Sequence, residues 1–143
     1  MTHPEIKRAL VAEDEECVRR VLCKLISLYG FDVTGVENGR MALDLFNKAD
    51  AGFNLLVADL DMPQMNGCDL VCEVRRLGHQ IPIIAVTGFG NQELVDRIST
   101  CDVRLFEKPI DFKALHSHIE LITSPFSGPS TGAYSRTVRF AER

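Results

Sequence analysis

Five side chains, far apart in the chain, could do chemistry together: Glu13, Asp14, Asp59, Thr87 and Lys108. Asp59 follows the apolar run Leu55-Leu56-Val57-Ala58, which reads as a strand covered on both faces. Open α/β sheets bind their ligands at the carboxyl ends of such strands, so Asp59 is the candidate reactive group. Glu13 and Asp14 close another apolar run, Ile6 to Ala12. Three carboxylates at one spot repel each other and raise one another's pKa. A divalent cation removes the conflict, and an all-oxygen donor set without histidine or thiolate suits Mg²⁺. Such a site is built to meet a phosphate, and an aspartate there can act as nucleophile and take a phosphoryl group as an acyl phosphate. A hydroxyl and a cation are then wanted on the phosphoryl oxygens. Thr87 ends the run Ile83 to Val86, and Lys108 follows Val103 to Phe106.

The elements that must position these groups can be read in order. Ile6 to Ala12 is a first strand, followed by a helix with Val18, Val21, Leu22, Leu25 and Leu28 on one face and Gly30 as its stop. Phe31 to Val36 is a second strand; Asn38-Gly39 opens a helix with Ala42, Leu45 and Phe46 inward, running to about Lys48. The run ending at Asp59 is the third strand. Gly67 opens a helix carrying Leu70, Val71, Val74 and Leu77, closed by Gly78. Ile81 to Thr87 is the fourth strand, and a more polar helix spans Gln92 to Thr100. Val103 to Phe106 is the fifth strand, and Asp111 caps a last helix with Phe112, Leu115, Ile119 and Ile122 inward. Strands alternating with helices predict a doubly wound, flavodoxin-like (βα)5 α/β fold with parallel strand order 2-1-3-4-5. That order makes the first and third strands neighbours, so Glu13, Asp14 and Asp59 should converge.

Composition bounds the classes. The chain has 143 residues, 45% hydrophobic and 25% charged, enough for one domain with its own core. The net charge of −4 argues against direct nucleic-acid binding. No apolar run approaches the roughly 20 residues of a membrane span, and no signal peptide is legible. Five cysteines, an odd number with no C-x-x-C pair, read as reduced core residues of a cytoplasmic protein, Cys68 and Cys72 included. The four histidines are scattered, and Gly88-Phe89-Gly90 is too short for a nucleotide fingerprint. From Ser124 the chain turns rich in Ser, Pro, Gly and Thr, a tail or linker over residues 124–143. Within it, Thr137-Val138-Arg139-Phe140 alternates and reads as a strand that docks on its own domain or on a neighbouring chain.

Val11-Ala12-Glu13-Asp14-Glu15, Asp59-Leu60-Asp61-Met62-Pro63-Gln64-Met65-Asn66-Gly67, Val86-Thr87-Gly88 and Lys108-Pro109 stand in this order, each closing a strand. With them the chain resembles a response-regulator receiver domain of two-component phosphorelay signalling, over about residues 5–122 within a domain of residues 1–123. The resemblance implies that Asp59 accepts phosphate from a sensor histidine kinase or a His-containing phosphotransfer protein. It implies that Asp14, Asp59 and the backbone carbonyl of Asp61 hold Mg²⁺, with Glu13 acting through a metal-bound water. Thr87 would hydrogen-bond the phosphoryl group, Lys108 would pair with it, and the Lys108-Pro109 bond would be cis. A homodimer is compatible with this reading. Three departures stand out. The first acid is Glu13 where Asp is commoner. Leu105 occupies the usual place of a switch aromatic, with Phe106 beside it on the opposite strand face. Asp61 and Phe89 stand at positions that tune hydrolysis, which suggests slow autodephosphorylation.

The competing reading is an enzyme. Asp59-Leu60-Asp61 also resembles the nucleophile motif of haloacid-dehalogenase-type phosphatases, with Asp61 as general acid. Against it stand Pro63, where that family has Thr or Val, and an acidic pair that precedes the nucleophile. A flavodoxin-type cofactor binder would need a hydroxyl- and glycine-rich first loop, where Glu13 to Glu16 would repel a phosphate. A receiver that only binds partners would have lost an acid, the threonine or the lysine, and none is lost.

Overall fold

The computed structural model describes residues 7–48, 50–88, 90–123 and 138–140. Five strand–helix pairs follow one another: β1 (Lys7–Ala12), α1 (Glu16–Ser27), β2 (Phe31–Val36), α2 (Gly39–Phe46), β3 (Leu55–Asp59), α3 (Gly67–Arg76), β4 (Ile83–Thr87), α4 (Gln92–Ile98), β5 (Arg104–Glu107) and α5 (Phe112–Thr123). A short β6 (Val138–Phe140) closes the described chain. All pairings are parallel, and the order β5-β4-β3-β1-β2-β6 contains the expected 2-1-3-4-5 arrangement with one strand added beyond β2.

Strand alternation sorts the core into two layers. Ala9, Val11, Leu55, Val57, Ile84 and Val86 pack toward α1 and α5, against Leu22, Ile26, Leu115 and Ile119. Leu10, Ala12, Leu56 and Ala58 pack the other way, against Ala42 and Phe46 of α2 and Leu70, Val71 and Val74 of α3. A smaller group, Leu60, Cys68, Ala85 and Ile98, joins α3 to α4. Asn38 and Asn66 cap α2 and α3, each accepting a hydrogen bond from a first-turn N–H (Met41 N, 2.8 Å; Asp69 N, 2.9 Å). Asp111 Oδ1 caps α5 in the same way, through Lys113 N and Ala114 N.

Some expected faces are rotated. In α1 the buried residues are Leu22, Cys23, Ile26 and Ser27, while Val21 is 50% and Leu28, just after the helix, 60% exposed. The small Cys23 explains the choice: a Cβ on Gly35 of β2 would lie only 2.9 Å from its Sγ, so helix and strand meet where a thiol faces a glycine. Leu43, not Leu45, is buried in α2, and Phe112 of α5 and Leu77 after α3 are largely exposed. Cys68 is buried but Cys72, one helical turn further on, is exposed. The fourth strand begins at Ile83, after Pro82, and the fifth is displaced one residue, to Arg104–Glu107.

Val138–Phe140 pairs with Val33–Gly35 along the outer edge of β2, so this part of the expected tail strand lies on its own domain; Thr137 falls outside the described residues. The Phe140 ring sits over Gly35, where a Cβ would be 2.9 Å from it, with the Arg20 guanidinium 5.4 Å above the ring.

Candidate functional site

Backbone hydrogen bonds tie the carboxyl ends of neighbouring strands, β1 to β2, β3 to β4 and β4 to β5. Glu13 N donates to Val36 O (3.0 Å), Leu60 N to Val86 O (2.8 Å) and Lys108 N to Thr87 O (2.8 Å). The turn after β3 is pinned from two sides. Gly67 N donates to Leu60 O (3.0 Å), and Gly39 N donates to Met65 O (3.1 Å). Neither glycine can be replaced without moving backbone: a Cβ at Gly67 would fall 2.2 Å from Asp59 O, and one at Gly39 2.3 Å from Met65 O. The helices thus start against the loop that carries the acids.

Carboxylate oxygens of Glu13, Asp14 and Asp59 lie within 4.8 Å of one another. Glu13 and Asp59 are buried, and Asp14 is exposed at the rim. The Lys108 ammonium reaches both buried acids, 2.9 Å from Asp59 Oδ2 and 3.0 Å from Glu13 Oε1, on a loop whose Lys108-Pro109 bond is cis. Asp59 Oδ1 accepts the N–H of Asp61 at 3.0 Å. Burial first, then hydrogen bonding to Asp59 and Asp14, pushes the Glu13 carboxyl up to about 8, with Lys108 opposing. Burial works against charge on Lys108, but its bonds to Asp59 and Glu13 prevail and hold its pKa above the ordinary lysine range.

Thr87 is buried at the end of β4, and its hydroxyl donates to Gly88 O at 3.3 Å. The Asp61 side chain is not part of the three-carboxylate cluster; the metal role that the resemblance implies for Asp61 rests on its backbone carbonyl. Phe89 lies outside the described residues. Leu105 and Phe106 point to opposite sheet faces as strand parity requires: Leu105 joins the α3–α4 group, and Phe106 the α1–α5 layer.

The donor set suits a hard divalent cation. Its donors are carboxylate oxygens, and the buried Glu13 Oε1 has no well-formed hydrogen bond despite the nearby ammonium. A cleft of about 210 Å³ lined by Asp14, Glu37, Asn38, Pro63 and Gln64 opens beside the acids. A larger cavity, about 400 Å³, contains none of them; it lies by Ile81, Pro82, Val103 and Arg104, at the opposite strand ends.

Arg19 escaped the sequence reading. Its Nη1 donates to Glu13 O (2.8 Å) and to Asp14 O (3.4 Å), fixing the turn that presents both acids. On a helix with Arg20 and Lys24, nothing in its type or spacing sets it apart.

Two buried acids, a third at the rim and a lysine thus meet at the carboxyl ends of the strands of a doubly wound (βα)5 sheet, the arrangement of a receiver-type switch fold. Residues 9–120 match the response regulator receiver domain family, and the chain belongs to it. It is 32% identical over 116 residues to the response regulator receiver protein CpdR of Brucella abortus, spanning 80% of this chain and 95% of that one. It is 34% identical over 119 residues to a probable transcriptional regulator, ycf27, of Galdieria sulphuraria, covering 81% of this chain but 45% of the regulator. The chain thus spans less than half of that relative. Among solved structures it is similar to the response regulator TrrA of Thermotoga maritima in complex with Mg²⁺-BeF, with a TM-score of 0.68 and 25% identity, covering 81% of this chain and 98% of that one. Nothing in the fold or in these likenesses favours the haloacid-dehalogenase-type alternative. Among the described residues no helix is long and apolar enough to cross a membrane.

Proposed function

We propose that the chain is a phosphorylation-controlled switch in which Asp59 takes a phosphoryl group from a phosphohistidine of a sensor histidine kinase or a His-containing phosphotransfer protein. The observation that carries this reading is the meeting of Glu13, Asp14 and Asp59 within 4.8 Å, with Lys108 2.9 Å from Asp59. Mg²⁺, held by Asp14, Asp59 and the backbone carbonyl of Asp61 with Glu13 acting through a water, would supply charge neutralisation for the incoming phosphate. The solved relative bound to Mg²⁺-BeF supports that choice of ion.

The chain's own groups divide the remaining work. An Asp59 oxygen attacks phosphorus while the P–N bond to the donor imidazole breaks, leaving an acyl phosphate. Lys108 Nζ, already on Asp59 Oδ2, moves to a phosphoryl oxygen and keeps its charge partner throughout. The Thr87 hydroxyl leaves Gly88 O and donates to another phosphoryl oxygen. With Leu105 in place of a switch aromatic, that Thr87 movement is passed to β5 and α4 by aliphatic packing. Asp61 beside the acceptor and Phe89 favour slow autodephosphorylation. The working unit is residues 1–123, with residues 124–143 as a tail, acting in the cytoplasm.

The test is incubation with Mg²⁺ and phosphoramidate, followed by intact-mass and peptide mapping. One phosphoryl group on Asp59, absent from Asp59→Asn and from metal-free samples, is the expected result. Phosphate on another residue, or none, rejects the proposal, and an acyl-phosphate lifetime of seconds rejects the slow-hydrolysis part.

A further inference from the structure

One face of α3 is bonded to α4 and to the turn before β5 by a series of contacts that the phosphoryl site does not use. The Cys68 thiol donates to Leu94 O at 3.1 Å. Arg97 Nη2 pairs with Asp69 Oδ1 at 2.5 Å. Three residues further along α3 than Asp69 comes Cys72, and three further again comes Arg75, whose Nη2 donates to Asp102 O at 2.5 Å. Positions three apart on a helix share a face, so Cys72 lies between these two cross-links. Its counterpart on the other side is Cys101, which stands between Arg97 and Asp102 in sequence. Cys101 is anchored by its N–H to Ile98 O at 2.9 Å and packs against the core that α3 covers. The Arg97–Asp69 and Arg75–Asp102 contacts on either side set Cys101 opposite Cys72, and the Cys101 thiol is among the groups that raise the Cys72 pKa. Cys72 is exposed, and Cys101 is half-buried.

We propose that Cys72 and Cys101 are a redox-sensitive pair whose disulfide staples α3 to the α4–β5 turn. The oxidant is hydrogen peroxide. The Cys72 thiolate attacks the peroxide oxygen, the O–O bond breaks and hydroxide leaves, giving a sulfenic acid at the exposed position. Cys101 sulfur then attacks that sulfur, and water leaves with the thiol proton. In sum, two thiols lose two electrons and one peroxide becomes two waters. Burial, then the Cys101 thiol, pushes the Cys72 thiol above its ordinary range, with Arg97 opposing and Asp69 adding to the rise, so the pair rests as a dithiol at neutral pH. Cys68 is buried with its thiol already bonded to Leu94 O, which keeps it out of the exchange. The staple would hold α4, of whose residues only Ile98 is buried, against the rest of the domain.

The inference does not rest on phosphoryl transfer, and its test is independent of it. The full-length chain is reduced, freed of reductant, treated with an equivalent of hydrogen peroxide, blocked with N-ethylmaleimide and mapped by mass under non-reducing conditions. A Cys72–Cys101 link within one chain is expected, its yield independent of protein concentration. Cys72→Ser and Cys101→Ser each lose it, and Cys17→Ser and Cys68→Ser keep it. Hydrogen exchange of the α4 amides should slow by about tenfold on oxidation and recover with dithiothreitol. Cross-links between chains through the exposed Cys17, over-oxidation of Cys72 without a link, or unchanged α4 exchange in the linked product would each overturn the staple.

Discussion

Along β3 every residue from Leu55 to Asp59 is buried; along β5, Arg104 and Glu107 are exposed and only Phe106 is buried. The helices that follow repeat the contrast. α3 has an Asn66 side-chain cap and five buried residues, Gly67, Cys68, Leu70, Val71 and Val74, whereas α4 has no side-chain cap bond and buries Ile98 alone. The region around Asp59 is therefore over-determined, and the α4–β5 region is held by one strand pairing, a small apolar group and a few polar cross-links. A group that must take up a phosphate in a fixed geometry benefits from the first arrangement. A surface whose population is to be shifted by that event benefits from the second, because elements that move are drawn from the less stable part of a structure.

Breaking the rigid side should have the largest effect. Gly67→Ala places a methyl 2.2 Å from Asp59 O and 2.7 Å from Leu60 Cα, which are backbone atoms that cannot swing aside. We expect a loss of about 2–4 kcal/mol in urea unfolding, with phosphorylation of Asp59 abolished in whatever remains folded.

The acid cluster comes next. The Glu13 carboxyl is raised from 4.5 to about 8, so between those values the folded state holds a proton that the unfolded chain has released. Stability without metal should therefore fall as pH rises from about 4.5 through 8. Millimolar Mg²⁺ should flatten that slope, and calorimetry in buffers of different ionisation enthalpy should show proton release on Mg²⁺ binding near pH 7. A metal-free stability that rises steadily over this range would contradict the assignment.

Two smaller changes sharpen the contrast from the flexible side. Phe140→Ala removes a ring that is 38% exposed and should cost about 1 kcal/mol, with faster exchange of the Val33–Gly35 amides and no change at the acids. Arg97→Ala breaks the pair with Asp69, whose side chains are 43% and 45% exposed, and should have the smallest effect on stability of these changes, while α4 amides exchange faster. A larger loss from Arg97→Ala than from Gly67→Ala would invert the comparison.

The rigid half was the more legible half in the sequence. Glu13, Asp14, Asp59 and Lys108 could be placed together because each follows an apolar strand, and parallel connectivity sends all those strand ends to one side. The α1 face differs from the one the periodicity predicts because an apolar stripe at helical spacing does not say which edge of it meets the sheet. That is decided by the fit of Cys23 over Gly35, a contact between elements. The exposure of Cys72, a core position by its spacing, has the same origin. Arg19 went unseen because its partners are backbone carbonyls, which leave no mark in residue types. The alternation of the tail strand was visible, but its register against β2 depends on the Gly35 notch receiving the Phe140 ring.

A glycine in mid-strand ordinarily weakens a sheet, yet Gly35 is what lets Phe140 close over β2. Cutting the polypeptide after α5 would expose this flank as a row of free amides and carbonyls beside an empty notch, a ready template for self-association. Shortened versions prepared for crystallisation or binding work should be checked by light scattering, since clumping there would report the missing cover and not the behaviour of the signalling domain.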